Sequence, residues 1–351
     1  MESPVIREGL PRPHGDGDIG LYAADETQGA GWFDRTRRVV FVNGMGNTPD
    51  DHARSARALS VLQACPVIGV YNRSNGFWSD LGQCISDKAT LAGVQAGFMR
   101  SYADWLAEAD RQFDRARQRR PGLDRLAFFA DLVAGNPATR ALYALVATMA
   151  PGDRAGLKIF CHSQGNLVTS NALTAVAMAL GAASIRGLEV NSYGSPCRYW
   201  PEGLSRTNNA FTFDPVSLLD LRADLTSVKV GFKVAHGFDV YLRNDAEFVV
   251  NRFRWGSLGL TASMDEAGLA AFMVGIGNNP GRLKPILERL RDAHWTDSDD
   301  VALAYVQAAP DALLKALKLS DASIITLLVA MLDSGWTSAD ERAAIARLQG
   351  I

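Results

Sequence analysis

Short apolar runs alternate with amphipathic stretches through the first two thirds of the chain. Strands are predicted at Val39–Val42 (VVFV), 66–71 (PVIGVY), 157–161 (LKIFC), 188–193 (LEVNSY) and 210–213 (AFTF). None of these runs alternates strictly with polar residues, so each is expected to be buried on both faces, as in a parallel sheet. Helical periodicity follows the first run at 51–63 and the third at 166–180, where Leu173, Val176 and Leu180 share one stripe. A strand–helix–strand order of this kind predicts a doubly wound α/β fold with a mainly parallel sheet.

Three segments lie outside that rhythm. Residues 1–30 are rich in Gly, Pro and charge and read as an irregular arm. The strongly amphipathic stretch 91–118 and its continuation 123–149 exceed a plain crossover, so a helical insertion is expected at about 85–150. Such an insertion commonly caps a substrate cleft. Its cluster Arg115, Arg117, Arg119 and Arg120 is offset by Asp110, Asp114 and Asp124 and reads as a solvated helix face. The organisation expected is an arm (1–30), an α/β domain (31–255) and a helical C-terminal domain (256–351). That last domain echoes itself: His294-Trp295-Thr296-Asp297-Ser298-Asp299-Asp300 returns as Gly335-Trp336-Thr337-Ser338-Ala339-Asp340-Glu341. Each Trp-Thr-x-x-Asp copy is predicted to open a helix with the threonine as N-cap. The copies weakly resemble the helix starts of annexin-like repeats but lack the flanking glycines of a calcium loop, so no metal is expected. The domain suits a protein partner.

Composition changes this picture little. The chain is 47% hydrophobic and 21% charged, with a formal net charge of −2. A nucleic-acid binder working through bulk charge needs a basic excess, which is absent. Cys65, Cys84, Cys161 and Cys197 show neither a CxxC pair nor zinc spacing and read as reduced or buried thiols. The N-terminus lacks the basic and apolar regions of a Sec signal. The longest apolar run, 324–332, falls short of the ~20 residues of a spanning helix. The expectation is a protein cytoplasmic as synthesised, with export by a route lacking a cleaved signal left open.

The chemistry centres on Cys161-His162-Ser163-Gln164-Gly165, which closes a predicted strand and opens a predicted helix. A serine there sits on a tight turn with its hydroxyl above the sheet edge. A buried helix also commonly begins with a plain serine N-cap. A nucleophilic serine needs a base, and the base needs an orienting acid. Asp214 ends the fifth predicted strand, with Asp220 and Asp224 as reserves. Of the five histidines, His14, His52, His162, His236 and His294, only His236 follows that acid at a strand end outside the tail repeat. Developing negative charge needs amide donors, each worth about 3 kcal/mol. Gln164 can supply one, and Gly44 or Met45 in Asn43-Gly44-Met45-Gly46-Asn47 another. Phe77, Trp78 and Trp200 are candidates for the wall of a substrate cleft.

These motifs resemble the lipase and esterase branch of the α/β-hydrolase superfamily over about residues 36–255. The carriers are the His-Ser-Gln-Gly elbow, the strand ending Ser192-Tyr193-Gly194-Ser195-Pro196, the turn Phe213-Asp214-Pro215-Val216, and His236. Gly194-Ser195-Pro196 and the Asp-Pro-Val turn are similar to fungal-type triacylglycerol lipases. Bacterial lipase-like effector toxins are similar more loosely. Cys161 departs from the usual first glycine of the elbow. The resemblance implies a Ser163–His236–Asp214 triad without cofactor or metal. It also implies a small-molecule or lipid ester substrate, phospholipid included, reached through peripheral membrane contact. Thioesterase, acyltransferase and a non-catalytic binding module on the same fold are the alternatives.

Overall fold

A computed structural model describes residues 1–73, 102–197, 200–217, 228–231, 233–253, 264–294, 296–333 and 335–351. Seven strands form one sheet: β1 (Ile19–Tyr22), β2 (Val39–Val42), β3 (Val67–Val70), β4 (Lys158–His162), β5 (Glu189–Tyr193), β6 (Ser205–Phe211) and β7 (Val228–Val230). Their spatial order is β1-β3-β2-β4-β5-β6-β7. Every pairing is parallel except β1 with β3. The fold is therefore α/β with a mainly parallel sheet, as the apolar runs predict.

Two-sided burial explains those runs. Val40, Val42, Ile68, Val70, Ile159 and Val190 enter one core, while Val39, Phe41, Val67, Phe160 and Phe211 enter another on the opposite face. Helix α1 (Pro49–Gln63) lies over the second face. Thr48 and Asp51 close its start in a reciprocal capping box, and Pro49 occupies its first turn. Helices α2 (Tyr102–Arg119), α3 (Arg125–Leu132), α4 (Pro137–Thr148) and α6 (Gly165–Leu180) belong with the first face, and the short α5 (Pro151–Ala155) leads from α4 into β4.

The stretch 123–149 is not one continuous helix, its apolar side chains pack into the core, and residues 85–101 of the expected insertion lie outside the described residues. Asn136 breaks the stretch, accepting Thr139 N–H at 2.8 Å as the N-cap of α4. Phe129, Leu142, Tyr143 and Val146 are fully buried in the core that holds the sheet residues. Arg125 reaches across to the last carbonyls of α6, bonding Met178 O at 2.6 Å and Ala179 O at 3.0 Å. These helices form the layer outside α6. That layer is why α6 is buried nearly all round, with only Leu180 exposed, rather than along one stripe. Arg115, Arg117, Arg119 and Arg120 are exposed, as expected of a solvated face.

The N-terminal arm is more ordered than its composition suggests. Residues 19–22 form the antiparallel edge strand, and Arg7 exchanges backbone hydrogen bonds with Ile19 and Leu21 at 3.0 Å each. The fifth predicted strand starts earlier, at Ser205. Its polar half is tolerated because neighbouring strands satisfy it: Asn209 Nδ2 donates to Ser192 O at 3.3 Å, and Ser192 Oγ to Asn208 Oδ1 at 3.2 Å.

Two short helices, α7 (Phe238–Arg243) and α8 (Asp245–Val250), lead to the tail. It holds α9 (Glu266–Ile276), α10 (Pro280–Ala293), α11 (Ser298–Ala308), α12 (Asp311–Ser320), α13 (Ala322–Leu332) and α14 (Ala339–Gly350). These helices share a separate core, which Val249, Val250 and Phe253 also enter. The helix starts in the repeat fall one residue later than predicted. Ser338, not Thr337, caps α14 in a reciprocal box with Glu341, whose longer side chain reaches back to the cap amide. Asp297 precedes α11 without a side-chain cap. Among the described residues no helix is long and apolar enough to cross a membrane.

Candidate active site

The chain leaves β2 outward to β3 and then returns across β2 to β4. The carboxyl ends of β2 and β4 therefore flank a topological switch point, where a crevice opens in sheets of this type. Ser163 follows β4 at that point, and Asn43-Gly44-Met45 follows β2.

Ser163 has φ +54°, a left-handed backbone that a non-glycine residue rarely adopts. Its N–H donates to Tyr193 O at 2.9 Å, tying the turn to the end of β5. The turn closes because two glycines allow it. A Cβ on Gly165 would stand 2.5 Å from Val42 O, and one on Gly44 would stand 2.5 Å from the Ser163 Cβ. Cys161, in place of the usual glycine, is buried and bonds Asn166 Oδ1 at 3.1 Å. Burial pushes its thiol pKa well above the ordinary range.

His236 Nε2 lies 2.8 Å from Ser163 Oγ. Its Nδ1 lies 2.9 Å from both carboxylate oxygens of Asp214. An ionised carboxylate only accepts, so Nδ1 carries the proton and Nε2 is free to accept from the serine hydroxyl. The carboxylate of Asp214 is fully buried and takes further bonds from Val216 N–H at 2.8 Å, Ser217 N–H at 3.3 Å and the Tyr241 hydroxyl. Burial alone would raise its pKa. The bond and charge of His236, with the donors from Tyr241 and Val216, outweigh this and hold it below the usual value. Tyr241, between a buried site and a carboxylate, is pushed far above the ordinary phenol range.

His162 is neither base nor acid. Its Nε2 donates to the backbone carbonyl of His236 at 2.6 Å, and the two rings lie 4.7 Å apart. Burial, then the neighbouring His236 charge, push its pKa down to about 3, so it stays neutral and serves as a brace. Gly194 (φ +53°) completes the enclosure, for a Cβ there would stand 2.7 Å from Asp214 Oδ2 and 3.0 Å from His236.

Two of the three predicted amide donors stand next to the serine. Gly44 lies against it, Gln164 follows it, and the Gly44 and Met45 N–H groups bond none of the described residues. A buried polar chain holds their loop. Asn43 Nδ2 donates to Gly44 O and Asn72 O at 2.8 Å each, and Asn43 Oδ1 accepts from His52 Nδ1 at 2.8 Å. Asn72 Nδ2 donates to Gln164 Oε1 at 3.0 Å, linking the two sides. Burial lowers the His52 pKa to about 3, so its ring is neutral.

Sequence reasoning did not anticipate Tyr241, Gly194, Asn72 or the bracing role of His162. Only the glycine at a strand end carried a local signal. Trp200, predicted on the cleft wall, packs against the core with Arg206 above its ring at 5.4 Å. Arg206 is level with Val190 and Ile159 near the opposite end of the strands from Ser163, so this tryptophan does not border the triad. Phe77 and Trp78 lie outside the described residues. Among the described residues no cluster of three or more His, Cys, Asp or Glu is placed to hold a metal ion.

No protein-family model, curated protein or solved structure matches the chain.

Proposed function

We propose that the chain is a serine hydrolase of the α/β-hydrolase type that cleaves carboxylic esters through an acyl-enzyme. One observation carries the reading: a serine in a left-handed turn between strand and helix, 2.8 Å from a histidine that is itself 2.9 Å from a buried carboxylate. A plain helix-capping serine has no need of a base and an acid behind it. In this reading His236 Nε2 takes the Ser163 proton as Oγ attacks the ester carbonyl. Asp214 stabilises the imidazolium, and the amides of Gln164 and of Gly44 or Met45 hold the oxyanion. The imidazolium protonates the leaving alcohol, and water admitted by the same base releases the acid.

Lipid or phospholipid acyl esters are the favoured substrates. Phe213 and Val234, beside the acid and the base, are 45% and 79% exposed and would offer an apolar rim to an acyl chain. A fluorophosphonate probe tests the reading. The native protein is expected to label at Ser163, and Ser163→Ala to remain unlabelled. Absent labelling of the native protein, or equal labelling of the variant, would sink it. A panel of phospholipid, triacylglycerol, short ester and thioester substrates then separates lipase from thioesterase or acyltransferase chemistry.

A further inference from the structure

A cavity of about 370 Å³ lies on the other side of the molecule's chemistry, between the sheet and the first tail helices. Its walls come from the amino-terminal parts of β4, β5 and β6, from α8, and from the Phe272 and Gly275 side of α9. Such a volume falls within the range of small-ligand sites.

Among the described residues, four basic side chains border it, Arg37, Lys158, Arg252 and Arg282, against two acidic ones, Glu189 and Asp245. The acids are already engaged. Arg282 holds Asp245 in a fork with bonds of 2.8 and 3.0 Å, and Lys158 meets Glu189 at 2.8 Å. Among the described residues Arg252 has no carboxylate of its own. It is only 8% exposed, its Nη2 makes a long 3.3 Å bond to Asn209 Oδ1, and its Nε is buried without any hydrogen-bond partner. A buried guanidinium with an unmet donor is costly unless something anionic completes it.

We infer that this cavity is a binding site for a small soluble phosphate monoester, with Arg252 as its central contact. The balance of the lining leaves two positive charges, and a phosphate monoester carries nearly two negative ones at neutral pH, where a carboxylate carries one. A guanidinium offers planar donors that match phosphate oxygens. Asn191, Ser205 and Thr207 on the strand side can hydrogen-bond a hydroxylated body. Arg37, exposed at the rim, adds long-range attraction. Bound there, the ligand bridges the sheet and the tail helices. This site stands apart from the triad, and its occupancy does not depend on the reaction at Ser163. One wall residue, Tyr193, is shared with the triad region, since its carbonyl accepts the Ser163 N–H.

Isothermal titration of the full chain with inorganic phosphate, glycerol 3-phosphate and acetate tests the inference, with thermal melting alongside. Both phosphates are expected to bind with one-to-one stoichiometry and raise the melting temperature, and acetate to bind about tenfold or more weakly. Arg252→Met is expected to weaken phosphate binding at least about tenfold. Arg37→Ala, at an exposed position that does not threaten folding, is expected to weaken it about threefold with the ligand-free melting temperature unchanged. Absence of phosphate binding to the native chain would overturn the proposal. So would binding left intact by Arg37→Ala together with any folded Arg252 variant, or acetate binding as tightly as phosphate.

Discussion

The Tyr241 hydroxyl is the part of the triad's support that can be removed most cleanly. Tyr241→Phe deletes one oxygen and keeps the ring, which lies tilted against Phe211 at 4.4 Å and stacks on Phe248 at 5.5 Å. No cavity larger than the hydroxyl opens, so the packing term is close to zero. What goes is a donor to a fully buried carboxylate, together with a long 3.4 Å acceptor for Phe211 N–H. A hydrogen bond to a charged group contributes about 1.5–3 kcal/mol, and the long bond adds little. The expected loss is therefore about 2 kcal/mol at neutral pH. Urea unfolding monitored by tryptophan fluorescence measures it. A double-mutant cycle with Asp214→Ala should show a coupling energy of about 1.5 kcal/mol, because the hydroxyl acts through that carboxylate. Fluorophosphonate labelling of Tyr241→Phe should stay within about tenfold of the native rate, since both His236 bonds persist. A loss below about 0.5 kcal/mol, or strict additivity in the cycle, would refute the assignment of Tyr241 as the carboxylate's positioning residue.

Asp214→Asn is expected to lower ester turnover by about 10⁴ through the wrong imidazole tautomer, with its fold retained, as steady-state kinetics and circular dichroism would report. Gly44→Ala puts a methyl 2.5 Å from the Ser163 Cβ, so turnover should fall about a hundredfold or more for a displacement near 1 Å. The reverse outcome, normal turnover, would show that the loop gives way freely. His52 and His162, both held near a pKa of about 3 by burial, bind no proton in the fold until far below 6.5. The unfolded chain takes up both protons below 6.5, so this stability is complete above that pH and drains away as pH falls toward 3. Each histidine contributes a slope of about 1.4 kcal/mol per pH unit within that window. Urea midpoints between neutral and mildly acidic pH should show it, and His52→Gln should remove one histidine's share.

The sequence by itself determined the elements whose information is local. Val39–Val42 and Val67–Val70 were readable because strands buried on both faces admit only apolar side chains. The elbow at Ser163 was readable because a tight turn between strand and helix needs small neighbours, and His236 because few histidines compete for the role. Other features could not be read because their partners are distant in the chain. β1 is a short run in a Gly-rich arm and is a strand only because β3 offers it an unpaired edge. The polar half of β6 is a strand only because β5 meets its side-chain amides, through the hydroxyl and the backbone carbonyl of Ser192. Helices α3 and α4 carry the pattern of a cap, yet their apolar faces are taken up by α6. The brace from His162 to His236 and the donor from Tyr241 to Asp214 depend on angles set by the whole sheet. Local patterning sets period, turns and the chemical types at hand. Which side chains finally meet is decided by the packing of all the elements together, and so the supports around Ser163, His236 and Asp214, unlike the choice of those three residues, belonged to the tertiary structure.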